Sequence, residues 1–127
     1  MKTINLHQEF IKDEYNDLVK LASEIIGFKC CDTVMQGDPS KNDNHGTKYQ
    51  ITADPYSTTN KEDRINLTAF ENYFYKNYGK WKDRCYFDTP AQAFAAIIKA
   101  WNIWNVYLEK EIKEKFISFS REVHEQY

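Results

Sequence analysis

This 127-residue chain contains three cysteines and three histidines, the residue types that most often bind zinc or act as nucleophile and base. Cys30 and Cys31 are adjacent, and the histidines are His7, His45 and His124. Structural zinc needs four ligands, usually in pairs spaced two to four residues apart, and adjacent residues of a strand point to opposite faces. The spacing therefore does not predict a zinc site, and the sequence implies no cofactor.

The polar segment from Asp38 to Gly46 has the oxygen-bearing side chains of a calcium loop. Such a loop needs glycine at its sixth position and a closing glutamate at its twelfth. Placing Gly46 sixth makes Lys41 the first ligand, whereas placing Asp38 first puts Asp43 where the glycine belongs. Neither alignment has the glutamate, so the segment is predicted to be a solvated loop.

A nucleophilic enzyme would need a cysteine or serine beside a base, and the candidate pair is Cys85 with His124. The sequence has no nucleophile elbow and no glycine-rich turn to bind an oxyanion. We therefore expect no catalytic residues, and a small Cys-dependent enzyme is kept as an alternative.

The segment from Tyr73 to Tyr86 interleaves aromatic rings with four cations, opposed only by Asp83, in a chain whose net charge is −2. Rings and cations together bind single-stranded nucleic acid, and they are also typical anchors of protein interfaces. The same rings could instead belong to the core. The residues predicted to bind a partner are Tyr75, Lys76, Tyr78, Lys80, Trp81, Lys82, Arg84 and Tyr86.

Composition limits the other possibilities. The net charge of −2 argues against coating nucleic acid or an anionic membrane with the whole surface. The chain begins with a polar segment and has no apolar run long enough for a signal peptide or a membrane span. Three cysteines suit a reducing compartment. We expect one domain over residues 1–127, located in the cytoplasm.

The first half of the chain predicts a helix followed by a hairpin. Apolar residues recur at helical spacing up to Ile26, Asn5 is a candidate cap at the start, and Gly27 ends the helix. Residues 28–35 and 49–53 alternate as strands do, and the polar loop between them would let them pair. A third strand is predicted at residues 65–67 and a fourth at residues 81–87.

Two further helix starts are marked in the second half. Thr68 with Glu71 forms one capping-box pattern, and Thr89 with Gln92 forms another, with Pro90 at the first helical position. The second start opens an apolar stripe that runs to the end of the chain. One helix over this stripe would be about 55 Å long, more than the width of a small domain, so we expect it to bend, break or protrude, with Asn102 and Asn105 as the expected places for a bend.

The last part of that helix has a narrow apolar seam flanked by charges, which is typical of helix pairing. The seam could pack on the first helix or on a second copy of the chain. Its residues are Leu108, Ile112, Phe116, Phe119 and Val123. The predicted fold is α+β, a small antiparallel sheet of three to four strands packed by the N-terminal helix and the long C-terminal helix.

A helix ending in Ile25-Ile26-Gly27-Phe28 and the later helix start Thr89-Pro90-Ala91-Gln92-Ala93-Phe94 give residues 5–101 a layout that resembles small phage proteins of the ABA-sandwich type. The resemblance implies a sheet between helices and an accessory protein of a phage or mobile element, with no catalytic residues. It suggests a non-enzymatic protein that binds a host protein or protein–nucleic-acid complex. An inhibitor of a host defence system such as a CRISPR effector is the expectation, with single-stranded nucleic acid or nucleotide binding as the alternative.

Overall fold

The computed structural model describes residues 2–42, 45–79 and 85–125, with side chains from residue 14 to residue 124 of these ranges. Its elements confirm the α+β class predicted from the sequence. In chain order they are α1 (Lys2–Ile26), β1 (Cys30–Gln36), β2 (Thr47–Ala53), α2 (Lys61–Tyr78), α3 (Pro90–Asn102) and α4 (Lys110–Glu125).

The two strands form the predicted antiparallel hairpin, with Cys30 opposite Ala53 and Gln36 opposite Thr47. The predicted number of three to four strands is wrong for the described residues, which form two. Residues 65–67 lie inside α2, and of the predicted strand 81–87 the structure describes only residues 85–87. Phe87 makes an isolated backbone bridge to Tyr49 there.

Helix α1 ends where the sequence predicts, because Gly27 takes a positive φ of 84° just after the last turn. Its start was not predicted, since Asn5 lies inside the helix rather than at its cap. The Tyr15 hydroxyl joins α1 to the hairpin, accepting from the Thr33 N–H at 2.9 Å and donating to the Gln50 carbonyl. Thr33 and Gln50 are opposite each other in the two strands.

Helix α2 begins earlier than the sequence predicted. The Asn60 side chain accepts from the Asp63 N–H at 3.0 Å, and acidic residues fill the first turn. Thr68 is therefore an interior residue, and its hydroxyl donates to the Arg64 carbonyl at 2.9 Å instead of capping. The Thr68 pattern failed because a hydroxyl inside a helix can bond back to the preceding turn.

Helix α3 begins at the predicted cap. The Thr89 side chain accepts from the Gln92 N–H, and the Gln92 side chain accepts from the Thr89 N–H, both at 3.2 Å. Pro90 fills the first helical position and is buried.

The C-terminal apolar stripe does not form one continuous helix, because α3 gives way to a π-helical turn over Ile103–Tyr107 and α4 follows it. Of the bend, break or protrusion expected for so long a helix, the structure has a break. The Leu108 N–H donates to the Ile103 carbonyl at 2.7 Å, and the Asn105 side-chain amide N–H donates to the Trp101 carbonyl at 2.8 Å. Leu108 itself is extended, so α4 starts in a new direction. The interruption falls beside Asn102 and includes Asn105, where a bend was predicted.

Helices α1 and α3 pack against each other and α3 packs on β2, whereas α4 makes its main contact with α2. The first part of the predicted C-terminal helix, α3, therefore packs on the sheet, whereas its later part, α4, packs mainly on α2. The aromatic core joins these layers, because the Phe70 ring lies 4.9 Å from the Trp101 ring and 6.1 Å from the Trp104 ring. Both tryptophans lie at the junction of α3 and the π turn.

Candidate functional site

The predicted aromatic-basic stretch is only partly described. Lys80, Trp81, Lys82 and Arg84 lie outside the described residues. The others are on α2 or just before α3: Lys76 is exposed, whereas Tyr75, Tyr78 and Tyr86 are half-buried.

The described rings of this stretch contribute to the core. Tyr78 packs against Tyr73 and Phe74, with ring centroids 6.3 and 5.7 Å apart. The Tyr75 ring lies 6.2 Å from that of Phe74, and its hydroxyl donates to Glu71 at 2.9 Å. Since Tyr73 and Phe74 are themselves buried, these rings extend the core toward the surface rather than standing free. Among the described residues that were predicted to bind a partner, Lys76 alone is exposed.

Lys76 lies at a groove of about 500 Å³ between α2 and α4. We call it the α2–α4 groove. Its residues come from facing sides of the two helices and are Asn72, Lys76, Ile112, Lys115, Phe116 and Phe119.

Phe116 forms the inner part of the groove. Its ring lies 5.8 Å from Tyr73 and 6.2 Å from Trp104, both of which are buried. The Lys76 ammonium is 5.8 Å from the centre of the Phe116 ring, within the range of a cation–π contact. Phe116 thus packs against the core and forms the apolar base of the groove.

Phe119 and Ile112 are the outer apolar residues, one turn to either side of Phe116. Their exposed fractions are 59% and 40%. Of the predicted helix seam, Leu108 and Phe116 pack against the core, whereas Ile112, Phe119 and Val123 remain exposed. The sequence stripe therefore combines two different surfaces, because one edge of α4 packs on α2 and the other faces solvent.

Polar contacts at the far end of α4 hold it on α2. Arg121 donates to both carboxylate oxygens of Glu62, and this hydrogen bonding lowers the pKa of the Glu62 carboxyl. His124 Nε2 lies 3.1 Å from the Thr68 hydroxyl. That hydroxyl already donates to the Arg64 carbonyl, so the imidazole nitrogen is the donor. These contacts fix the orientation in which α4 presents Phe119.

The charge of the α2–α4 groove is positive. Its described lining contains Lys76 and Lys115 and no acidic residue, and the single polar neutral side chain is Asn72. Apolar side chains with cations beside them favour a partner that brings apolar groups and negative charge together. Sequence reasoning missed Asn72 and Lys115 as site residues. The signal for Lys115 was its place next to Phe116 in the apolar stripe.

The cysteines are poorly placed for chemistry. Cys85 is fully buried and its thiol donates to the Phe74 carbonyl at 3.2 Å, whereas His124 is bonded to Thr68. Burial raises the pKa of Cys30 to about 11, and burial is also the main cause of the raised pKa of Cys31. Among the described residues, no group of three His, Cys, Asp or Glu side chains is arranged to hold a metal ion.

Comparison with protein-family models, with curated proteins and with solved structures finds no match for this chain. Within the described ranges, no helix combines the length and the apolar character needed to cross a membrane.

Proposed function

We propose that the protein works by binding another protein, without catalysis, and that the α2–α4 groove is the binding surface. The observation that carries the proposal is the exposure of Phe119 and Ile112 beside the fixed ring of Phe116. Interface anchors are typically large apolar or aromatic side chains around a packed centre. An exposed phenylalanine on a helix already held by a core contact and an ion pair has this character.

Lys76 and Lys115 indicate the chemistry of the partner. They flank the apolar groove on opposite helices, so a segment with an apolar side chain and nearby carboxylates would match both features. Because the lysines are on the rim, they should mainly affect the association rate and the specificity of binding. The rings of Phe116 and Phe119 should mainly affect the affinity.

The biological setting of the proposal comes from the resemblance to small phage proteins. A short accessory protein without catalytic residues, carrying a compact binding surface, suits the inhibition of a host protein. We propose a host defence system, such as a CRISPR effector, as the target, met in the cytoplasm of the host cell.

Single-stranded nucleic acid is the second candidate, favoured by the lysines around Phe116 and Phe119. It is weaker because Tyr75 and Tyr78 pack against core rings and leave little free face for base stacking. Binding through phosphates would weaken steeply with salt, whereas an apolar protein interface would change little. Titration of a labelled single strand at low and at physiological salt separates the two.

A second copy of the chain is the third possible occupant, through Ile112, Phe119 and Val123 of the predicted seam. Light scattering separates it from a foreign partner. Loss of a dimer on Phe119→Glu would assign this surface to self-association, and an unchanged mass would leave it to a partner.

A phage infection assay tests the biological proposal. A bacterium whose CRISPR system targets a phage is given the wild-type gene, the Phe119→Glu gene or the Tyr56→Glu gene. Tyr56 is 78% exposed outside the groove and provides a matched aromatic-to-acid control. We expect wild type and Tyr56→Glu to restore plaques and Phe119→Glu to fail. Full activity of Phe119→Glu would assign inhibition to a different surface, and no restoration by wild type would reject that CRISPR system as the target.

A further inference from the structure

The outer edge of β1 is formed by other residues than the α2–α4 groove. The sheet has two strands among the described residues. The outer edge of β2 is engaged, since Tyr49 and Phe87 exchange two backbone hydrogen bonds of 2.8 Å. No described strand lies beside β1, so its outer edge ends the sheet.

The ladder shows which backbone groups of β1 face outward. The Gly37 N–H donates to the Gly46 carbonyl at 2.8 Å, and the Asp54 N–H donates to the Lys29 carbonyl at 2.9 Å. Hydrogen-bonded pairs alternate along an antiparallel ladder. Residues 31, 33 and 35 therefore turn their N–H and C=O groups toward β2. The groups of residues 30, 32, 34 and 36 point away from it.

One of these outward groups is already satisfied within the chain. The Cys30 N–H donates to the Ser23 hydroxyl of α1 at 2.9 Å. Asp32, Val34 and Gln36 are exposed residues, and Val34 keeps 43% of its surface. Among the described residues, nothing bonds to their backbone groups. The Cys30 N–H is thus satisfied within the chain, and the edge is open from Asp32 to Gln36.

Most of the sequence features that usually protect such an edge are missing from β1. Proteins block exposed edges with lysines, prolines, bulges or very short strands. The strand reads Cys-Cys-Asp-Thr-Val-Met-Gln, is seven residues long, pairs with β2 without a bulge and carries one charge, Asp32. An edge of this kind is a template for strand addition.

We propose that β1 pairs with β1 of a second copy, antiparallel and about a two-fold axis at Val34, to make one four-stranded sheet. In this register Val34 faces the partner subunit's Val34, and Asp32 faces the partner subunit's Gln36. The N–H and C=O groups of Asp32, Val34 and Gln36 then all find partners, and no like charges are opposed. The strand is therefore complementary to itself, as a closed two-fold interface requires. Pairing also extends a two-stranded sheet, which is marginal alone.

Because the two-fold axis passes through Val34, a charge introduced at this position would lie opposite the same charge in the partner subunit. The proposal can therefore be tested with charged substitutions of Val34. Wild type, Val34→Lys, Val34→Glu and a mixture of the two variants are compared by sedimentation equilibrium up to about 1 mM. We expect wild type to approach twice the 15.1 kDa mass of the chain. Each variant alone should dissociate about tenfold more readily, since like charges oppose across the strands. The mixture should re-form dimers, because lysine then faces glutamate.

Val106→Lys is the control, since Val106 is 65% exposed in the π turn and away from β1. It should keep the wild-type mass. Circular dichroism establishes that each variant is folded. For wild type itself, amide exchange gives a second measurement, in which the Val34 N–H should become protected as concentration rises. A wild type that stays monomeric, a dimer indifferent to Val34→Lys, or a mixture that fails to associate would overturn the proposal. A dimer lost on Phe119→Glu instead would assign self-association to α4.

Discussion

The guanidinium group of Arg121 donates two hydrogen bonds to the carboxylate of Glu62, with N–O distances of 2.7 and 2.9 Å. This pair joins α4 to the first turn of α2, far along the chain from the π turn where α4 begins. It restrains the rotation of α4 about its axis, and with Phe116 it decides which residues face solvent. The exposure of Phe119 is therefore a consequence of two fixed contacts on the same helix.

The Glu62–Arg121 pair should make stability depend on pH. Arg121 lowers the pKa of Glu62 in the folded state, so the contribution is present above the ordinary carboxyl pKa of about 4.3. It is lost as the pH falls through the lower folded value. We expect Glu62→Gln to lower the melting temperature at pH 7. Near pH 3 the difference in melting temperature between the variant and wild type should be smaller. Glu109→Gln makes the same charge change away from Arg121, and an equal effect from it would contradict this assignment.

The cap at Thr89 should be measurable in isolation. Thr89→Ala removes the side-chain oxygen that accepts from the Gln92 N–H and should lower the unfolding free energy by about 1 kcal/mol. Urea denaturation gives the value. Thr59→Ala, in the exposed loop before α2, is the control and should change stability little. A Thr89→Ala effect no larger than that of the control would mean that the capping box does not stabilise α3.

The Tyr15 hydroxyl should contribute to the attachment of α1 to the hairpin. Tyr15→Phe leaves the Thr33 N–H and the Gln50 carbonyl without this partner, and we expect a loss of about 1–3 kcal/mol in urea. Burial also raises the pKa of the Tyr15 hydroxyl well above its usual value, so the bond should persist at alkaline pH. Tyr56→Phe serves as the exposed control. Equal stability of the two variants would contradict a structural role for the Tyr15 hydroxyl.

Thiol labelling should distinguish the three cysteines by burial. Cys31 is half-buried, whereas Cys30 and Cys85 are buried, and the pKa of Cys30 is raised to about 11. Because the thiolate is the reactive form, iodoacetamide at pH 8 should modify Cys31 first and the other two only on unfolding. Mass spectrometry of the Cys→Ser variants assigns the sites. Rapid labelling of Cys85 in the native protein would contradict its burial and revive the enzyme alternative.

The sequence predicted elements whose signals are local. The Thr89 capping box, the Gly27 helix end and the pairing of β1 with β2 are all confirmed, since each depends on nearby residues or on simple alternation. The start of α2 also had a local signal, Asn60 followed by acidic residues. The capping-box pattern at Thr68 was chosen instead, although Thr68 lies inside the helix and does not cap it. Residues 65–67 were then assigned to a strand by default.

Other features depend on tertiary contacts and were not predictable. The π turn changes the direction of the chain, so the apolar stripe of the last 38 residues serves two surfaces rather than one. Lys76 was predicted to bind a partner and lies at the groove. Phe119 was assigned to a helix-pairing seam, on the first helix or on a second copy, because its position near Lys76 is visible only in the structure. The open edge of β1 was not predicted, because the sequence analysis placed two further strands, at residues 65–67 and 81–87, in the sheet.

Binding of a partner protein by the α2–α4 groove is the main proposal for function. Its most direct test is quantitative mass spectrometry of proteins captured from a bacterial host lysate by tagged wild type, Phe119→Glu and Tyr56→Glu. We expect at least one host protein that is captured by wild type and by Tyr56→Glu, and whose capture falls about tenfold or more with Phe119→Glu. Capture that is unchanged by Phe119→Glu, or no protein enriched by wild type, would contradict it.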